Sequence, residues 1–362
     1  MSERIKTNRV ASEMATTNSP LLYNHWYMAG WNSEFGEGLH ERTFLSRSLV
    51  IFRKQDGELV ALQNRCAHRS FPLASGILEG DAVRCGYHGV KFNANGLMVE
   101  APPGQDQCPR LSIRKYPMRT KGPIAWIWMG EPERAATTPL PSLPWLEDTS
   151  WTTISGLLPV AGNWLLLAEN LMDLTHIPYV HGATFNYSKE YAATPMQVMQ
   201  EGETIYHERH NAPGYHRNVY VPTPIGDRME AAGVNTVSRI RFVSPALTIG
   251  SGELNVVRTE MMDQGYYSWQ ICNLMTPIDE KNTNYWWAIS RNYEHDNEEL
   301  TIKMRDLNLI GLAEDKVAAE LVQKLVDSDR TPFEEVHFKT DKAGVLMRRI
   351  VQKLVQREEM AC

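Results

Sequence analysis

Apolar positions along the chain change rhythm twice. From Trp26 to about Gly130 they recur in short alternating runs: Thr43 to Phe52, Leu59 to Gln63, Ala82 to Arg84 and Ala125 to Met129. Alternation with a period of two puts one set of side chains on each face of a strand. Turn signals separate the runs, at Gln55-Asp56-Gly57, Glu79-Gly80-Asp81 and Asn93-Ala94-Asn95-Gly96. The pattern predicts a small antiparallel β domain. Prolines then gather between Pro132 and Pro144, which predicts a linker or domain edge. Beyond it, Gly162 to Leu174 reads as a Leu-rich helix. Alternating stretches follow at Thr204 to Glu208, Val234 to Phe242 and Tyr285 to Arg291, the mark of a larger antiparallel sheet. Two helices close the chain, from about Glu298 to Val326 and from Asp341 to Arg357. In the second, Leu346, Ile350 and Leu354 share one face. The expected fold class is α+β, with an all-β domain over residues 23–135. An α+β domain, an antiparallel sheet with flanking helices, would fill 136–362. Residues 1–22 are expected to form a disordered tail, because Met1 to Pro20 is polar and lacks an apolar signal-like core.

Composition narrows the function classes. The 362 residues suit two domains. A formal net charge of -6 gives no cationic surface for nucleic acid or an anionic membrane. No apolar run is long enough for a membrane span. The five cysteines (Cys66, Cys85, Cys108, Cys272 and Cys362) are odd in number and sparse. That argues against a disulfide framework and for a reducing, cytoplasmic setting.

Two of these cysteines carry the first chemical signal. Cys66-Ala67-His68 is matched downstream by Cys85-Gly86-Tyr87-His88, so each segment offers one thiolate and one imidazole at short spacing. Zinc accepts such donors, but zinc fingers usually group cysteines with cysteines and histidines with histidines. A [2Fe–2S] cluster with both thiolates on one iron and both imidazoles on the other suits the split arrangement, and the neutral imidazoles raise its reduction potential. Cys66-Ala67-His68-Arg69 and Cys85-Gly86-Tyr87-His88-Gly89 resemble the Rieske motif. The resemblance makes Cys66, His68, Cys85 and His88 the cluster ligands and the β domain a Rieske domain.

A second signal lies in Asn170-Leu171-Met172-Asp173-Leu174-Thr175-His176-Ile177-Pro178-Tyr179-Val180-His181. Two histidines five apart cannot share one regular helical face. Pro178 is expected to end the helix just after His176, so that His181 swings back. Two imidazoles plus one carboxylate on a single face, with open positions opposite, form the facial triad of non-haem Fe(II) oxygenases. The Asp173-x-x-His176-x4-His181 pattern resembles the iron-binding motif of Rieske oxygenases. The Glu314-Asp315-Lys316-Val317 run resembles the matching helix of dicamba-type O-demethylases, which makes Asp315 the expected third ligand. Asp296, Asp306 and Glu314 compete with it. By the same resemblance the Asp173 carboxylate bonds a histidine ligand of the mononuclear iron and His88 of the partner subunit, bridging electron transfer. Asn170 is expected near the iron.

The resemblance also implies partners. No nicotinamide or flavin fingerprint is present: Gly250-Ser251-Gly252 lacks the third glycine and the strand–turn–helix context. Electrons are therefore expected from a separate ferredoxin and an NAD(P)H-dependent reductase. The cross-subunit path implies a head-to-tail homotrimer. The chain looks most like demethylating monooxygenases of the dicamba and vanillate type, which use O2 on small aromatic compounds. Ring cis-dihydroxylation or hydroxylation is the alternative, and a pure Rieske electron carrier the non-enzyme one. Asn273 aligns by resemblance with a substrate-bonding position. Trp286, Trp287, Met261 and Met262 are candidates for either pocket or core, and His207, His210 and His216 are expected at the surface.

Overall fold

A computed structural model describes residues 13–104, 111–185, 187, 189–217, 219–329 and 335–360. Cys108 and Cys362 lie outside the described residues. By its internal contacts the chain divides into two compact units. One holds residues 23–141 with 276–279, and the other holds 142–275 and 280–360 together with 13–22. Of the expected tail, residues 1–12 lie outside the described residues. Ala15 is fully buried, and its amide donates to the Arg348 carbonyl at 3.0 Å.

The described residues of the smaller unit form eleven short strands: β1 (Trp26–Trp31), β2 (His40–Phe44), β3 (Arg47–Arg53), β4 (Leu59–Gln63), β5 (Ile77–Glu79), β6 (Ala82–Arg84), β7 (Lys91–Asn93), β8 (Met98–Glu100), β9 (Lys115–Tyr116), β10 (Met118–Lys121) and β11 (Ile124–Trp128). They form three sheets, ordered β1-β11-β10, β2-β3-β4-β9 and β5-β6-β7-β8. Val50, Phe52, Val60, Leu62, Val83 and Phe92 close a core between the last two, and Cys66 and Cys85 belong to that core. The single strand expected from Thr43 to Phe52 is instead a tight hairpin. Leu45 and Ser46 adopt φ of 48° and 62° between β2 and β3. Neither is Gly or Asn, so the turn has no sequence signature. Their amides donate to the carbonyls of Pro277 and Ile278, at 3.0 and 2.7 Å, which holds the turn in place. The expected linker is partly ordered as well. Pro132–Thr137 is a short helix, entered through Pro at its first position. The Trp26 indole donates to the Thr138 carbonyl at 3.0 Å.

The larger unit carries a seven-stranded sheet of β12 (Thr152–Val160), β13 (Gln197–Glu201), β14 (Thr204–His210), β15 (Val234–Ser244), β16 (Leu247–Val256), β17 (Tyr266–Pro277) and β18 (Thr283–Arg291), in the order β12-β18-β17-β16-β15-β14-β13. The helix Trp164–Met172 starts at Asn163, whose side chain accepts from the Leu165 amide at 2.9 Å. The long helix Glu298–Ser328 and the closing helix Lys342–Glu359 both pack against Trp164–Met172. Buried Arg348, from the closing helix, is fastened to Glu169 at 2.7 Å and to Glu335 at 2.5 Å. Removing one partner of such a buried pair would leave the other uncompensated.

Candidate metal centres

In the smaller unit the two Cys/His segments are the same backbone device used twice. The Cys66 amide donates to the Phe71 carbonyl and the Ser70 amide to the Cys66 carbonyl, both at 2.9 Å. The Cys85 amide donates to Val90 at 2.8 Å and the Gly89 amide to Cys85 at 3.1 Å. The turn demands a left-handed residue at matching places, Ser70 with φ 58° and Gly89 with φ 78°. Glycine meets that demand freely, whereas Ser70 is held there by its surroundings. The first loop is pinned by buried Asn64, which donates to Glu41 and Ser48 at 2.9 Å each and accepts from the Ala74 amide at 2.7 Å. The second is pinned by Arg84, which grips Glu79 and Glu100 and donates to the Gly89 carbonyl at 3.0 Å. Asn64, Ser70 and Arg84 carry no motif of their own and were not expected.

The loops set Cys66 beside Cys85 and the ring of His68 beside that of His88. Cys66 and Cys85 are 2% exposed and not disulfide-bonded. Burial pushes the Cys66 thiol above its ordinary range, and the Cys85 thiol beside it adds to the shift. His68 is exposed and His88 half-buried, with ring centroids 4.7 Å apart. A cluster with thiolates inward and imidazoles outward matches this set.

In the larger unit the second motif folds differently from expectation. The helix ends at Met172, before either histidine. Asp173 is extended (φ -130°, ψ 102°), and a single 3-10 turn, Leu174–His176, follows. Pro178 does not break a helix: it sits at the second position of a new turn, Ile177–Val180, where proline is welcome. The Asp173 carboxylate caps the 3-10 turn, accepting from the Thr175 amide at 2.8 Å and the Thr175 hydroxyl at 2.7 Å. Its contact with His176 therefore differs from the expected one. The Asp173 main-chain carbonyl, rather than the carboxylate, accepts from His176 Nδ1 at 2.5 Å. That bond aims Nε2 of His176 at Asp315, 3.6 Å away.

His181 comes to the same point from the other side, with Nε2 at 3.0 Å from Asp315 Oδ1. One donor atom each from His176, His181 and Asp315 fall within 4.8 Å of one another. His181 and Asp315 are buried, at 2% and 7% exposure. Asn170, in the last turn of the helix, donates to Asp315 Oδ1 at 2.9 Å. Burial pulls His176 toward its neutral, lone-pair-bearing form. Burial pulls His181 the same way, but the Asp315 and Glu314 carboxylates outweigh it and raise its pKa. Two imidazoles and a carboxylate clustered in a protected site suit Fe(II) and leave other positions open.

The competitors for the third place fall elsewhere. Asp296 and Asp306 are exposed. Glu314 meets His181 Nδ1, the nitrogen turned away from Asp315, at 2.7 Å. Asn273 is buried and accepts from the Tyr285 hydroxyl at 2.7 Å. It pairs across strands with Thr248, whose buried hydroxyl has no partner among the described residues. Tyr285 and Thr248 were not expected; only the sheet register brings them to Asn273. Trp286 and Trp287 are core, whereas Met261 is exposed and Met262 half-buried. His207 overturns the surface expectation. It is 1% exposed, with Nδ1 at 3.2 Å from the Met172 carbonyl, because the inward face of β14 runs Ile205, His207, Arg209. His216 is half-buried, and His210 is exposed beside Glu208.

Comparison with known proteins matches both regions of the chain to known domains. Residues 25–117 match the Rieske [2Fe-2S] domain, and residues 160–357 match the vanillate O-demethylase oxygenase C-terminal domain. The chain is 32% identical over 313 residues to the iron–sulfur subunit of the toluene-4-sulfonate monooxygenase system of Comamonas testosteroni, covering 84% of this chain and 89% of that one. It is 28% identical to the oxygenase component of dicamba O-demethylase from Stenotrophomonas maltophilia, covering 92% and 98%. The crystal structure of dicamba monooxygenase bound to dicamba superposes with a TM-score of 0.81 at 27% identity, over 94% of this chain and 100% of that one. The chain belongs to the Rieske non-haem iron oxygenases, as an oxygenase component of the vanillate O-demethylase type that carries a [2Fe–2S] cluster and a mononuclear iron.

Proposed function

We propose that this monooxygenase component removes an alkyl group, most simply methyl, from oxygen or nitrogen of a small aromatic compound. Cys66, His68, Cys85 and His88 hold the cluster, and His176, His181 and Asp315 hold the mononuclear iron. The convergence of those last three donors within 4.8 Å is the observation that carries the reading. When bound, the cluster supplies electrons one at a time and the iron activates O2. One oxygen atom enters the methyl carbon and the other leaves as water. The hydroxylated carbon then parts from the ring substituent as formaldehyde. The protein's own contribution is placement: Asn273, Tyr285 and Thr248 offer neutral hydrogen-bonding groups on one patch of buried sheet, suited to orienting a polar ring substituent.

The remaining parts of the proposal concern assembly. Electrons come from a separate ferredoxin and an NAD(P)H-dependent reductase, and the chain works in the cytoplasm as a homotrimer. Among the described residues no helix is long and apolar enough to cross a membrane. Asp173 bridges to His88 of the partner subunit. A cavity of about 450 Å³ opens beside Asp173 and His176, lined also by Val336 and His337. Val336, Phe338 and Tyr179 are more than two-thirds exposed. Tyr87, whose ring is tilted against that of His88 with centroids 3.9 Å apart, is exposed too. Apolar residues left bare at both sites are what a subunit contact would cover.

A second reading, oxygen insertion without loss of carbon, is favoured by the relative named for toluene-4-sulfonate. The test is turnover with a surrogate ferredoxin, reductase and NADH against methoxylated and N-methylated aromatics. Formaldehyde equal to O2 consumed supports dealkylation. O2 uptake without formaldehyde moves the assignment to hydroxylation.

A further inference from the structure

His181 is held between two consecutive residues of one helix. Asp315 faces its Nε2 at 3.0 Å, and Glu314 faces its Nδ1 at 2.7 Å. Successive helical positions diverge by about 100°, so the imidazole lies over the helix with one carboxylate on each side. Glu314 is itself held. Its other oxygen accepts from the Thr184 hydroxyl at 2.7 Å, and Thr184 belongs to the turn that His181 begins, with its amide donating to the His181 carbonyl at 3.0 Å. One turn earlier, Gly311 lets the chain come this close. A Cβ there would stand 2.5 Å from Cζ of Phe185, whose ring lies 5.2 Å from that of His181.

We propose that Glu314 is a positioning residue that fixes the tautomer and ring orientation of His181. A carboxylate can only accept, so His181 Nδ1 carries the hydrogen. Nε2, which faces Asp315 at 3.0 Å, is then the nitrogen that gives up its hydrogen to present a lone pair to a metal at the point shared with His176 and Asp315. A ring that flipped or changed tautomer would present N–H there and could not ligate. This inference rests on His181 and Asp315 being iron ligands. It adds that the adjacent acidic residue shapes the site without touching the metal. Its geometry supplies what an outer partner of a metal-bound histidine provides, and loss of such partners commonly costs 10–100-fold in metal affinity.

The test uses full-length protein with the cluster intact and the mononuclear iron removed. Fe(II) is titrated back into wild type, Glu314→Gln, Glu314→Ala and Asp315→Ala, and the nitric oxide adduct of the Fe(II) form is followed by electron paramagnetic resonance. Gln keeps an acceptor for Nδ1 and a donor for Thr184, so Glu314→Gln is expected to bind Fe(II) within a few-fold of wild type, with one adduct signal. Glu314→Ala is expected to bind roughly 10–100-fold more weakly, with an altered or mixed adduct signal and unchanged visible cluster absorbance. Wild-type affinity and signal in Glu314→Ala would overturn the inference. Equal losses in Gln and Ala would overturn it too, because charge and not the hydrogen bond would then be the cause. Asp315→Ala separates the two levels: if it keeps its iron while Glu314→Ala loses it, the ligand assignment itself is wrong. If Glu314→Ala does not fold, Thr184→Val substitutes. Removing the second anchor of Glu314 is expected to weaken Fe(II) binding several-fold, and no weakening would count against the proposal.

Discussion

Asn170 Nδ2 lies 2.9 Å from Asp315 Oδ1, although 145 positions separate the two residues. The bond joins the helix that leads into the histidine motif to the long helix that supplies the carboxylate. It leaves Asp315 one oxygen engaged and fixes its rotamer. Asn170→Ala is expected to lower Fe(II) affinity by about tenfold while the cluster absorbance stays as it is. Asn170→Asp should be worse, because it puts a second carboxylate against the first. Equilibrium iron binding by both variants checks this; wild-type affinity in Asn170→Asp would show that the contact carries no weight.

Gly311 leaves no room for a side chain on the long helix. A methyl group there would meet the Phe185 ring at 2.5 Å, and that ring lies 5.2 Å from the ring of His181. Gly311→Ala improves helix propensity yet is expected to destabilise by about 1–3 kcal/mol through overpacking. It should also weaken iron binding. Thermal unfolding and metal analysis of the same preparation measure both effects, and a stabilised variant with full iron would contradict the packing argument.

His207 gives the larger unit an acid-sensitive element. Burial, followed by the charge of Arg209, pushes its imidazole down to about 4 from an ordinary 6.5. The folded state thus favours the neutral ring. Between pH about 6.5 and about 4 the unfolded chain binds a proton that the folded chain refuses, so stability falls as pH falls through that window. The loss approaches the order of 3 kcal/mol. His207→Gln retains a donor for the Met172 carbonyl but does not titrate. Denaturant unfolding at several pH values should show a flatter acid limb for the variant. Identical limbs would place the acid sensitivity elsewhere.

The two halves of the cluster site predict unequal damage. Cys66→Ser removes a buried ligand and should abolish the visible iron–sulfur spectrum. Arg84→Met removes only the clamp on the Gly89 carbonyl and the grip on Glu79 and Glu100. It should leave the cluster assembled but faster to bleach in air or chelator. A Cys66→Ser protein with unchanged absorbance would refute the cluster assignment.

The chemistry was more legible in the sequence than the local path of the chain. Cysteine and histidine at short paired spacing constrain what can bind, whatever loop presents them, and the fold sets Cys66 beside Cys85 and His68 beside His88. The strands predicted at β14, β15 and β18 also survive: β14 and β15 bury one face each, whereas β18 is buried on both. What sequence pattern missed was decided by distant contacts. The Leu45–Ser46 turn exists because residues 277 and 278 meet its amides. Pro178 looked like a helix breaker, yet the break falls at Asp173, where the carboxylate caps the next turn. His207 looked like a surface residue because polar neighbours mask its inward-facing position on β14. Glu314 and Asp315, adjacent acids in one helix, were ranked by resemblance, but the separate place of Glu314 is seen only in which nitrogen of His181 each one faces.

The most direct test of the account is the iron and acid-labile sulfide content of Asp315→Ala beside wild type. Wild type should hold about three iron ions and about two sulfides per chain, the sum of a [2Fe–2S] cluster and one mononuclear iron. The variant should hold about two of each, keep the visible cluster spectrum and lose substrate-dependent O2 uptake. A variant that retains the third iron and turns over would contradict the assignment of His176, His181 and Asp315 as the mononuclear site.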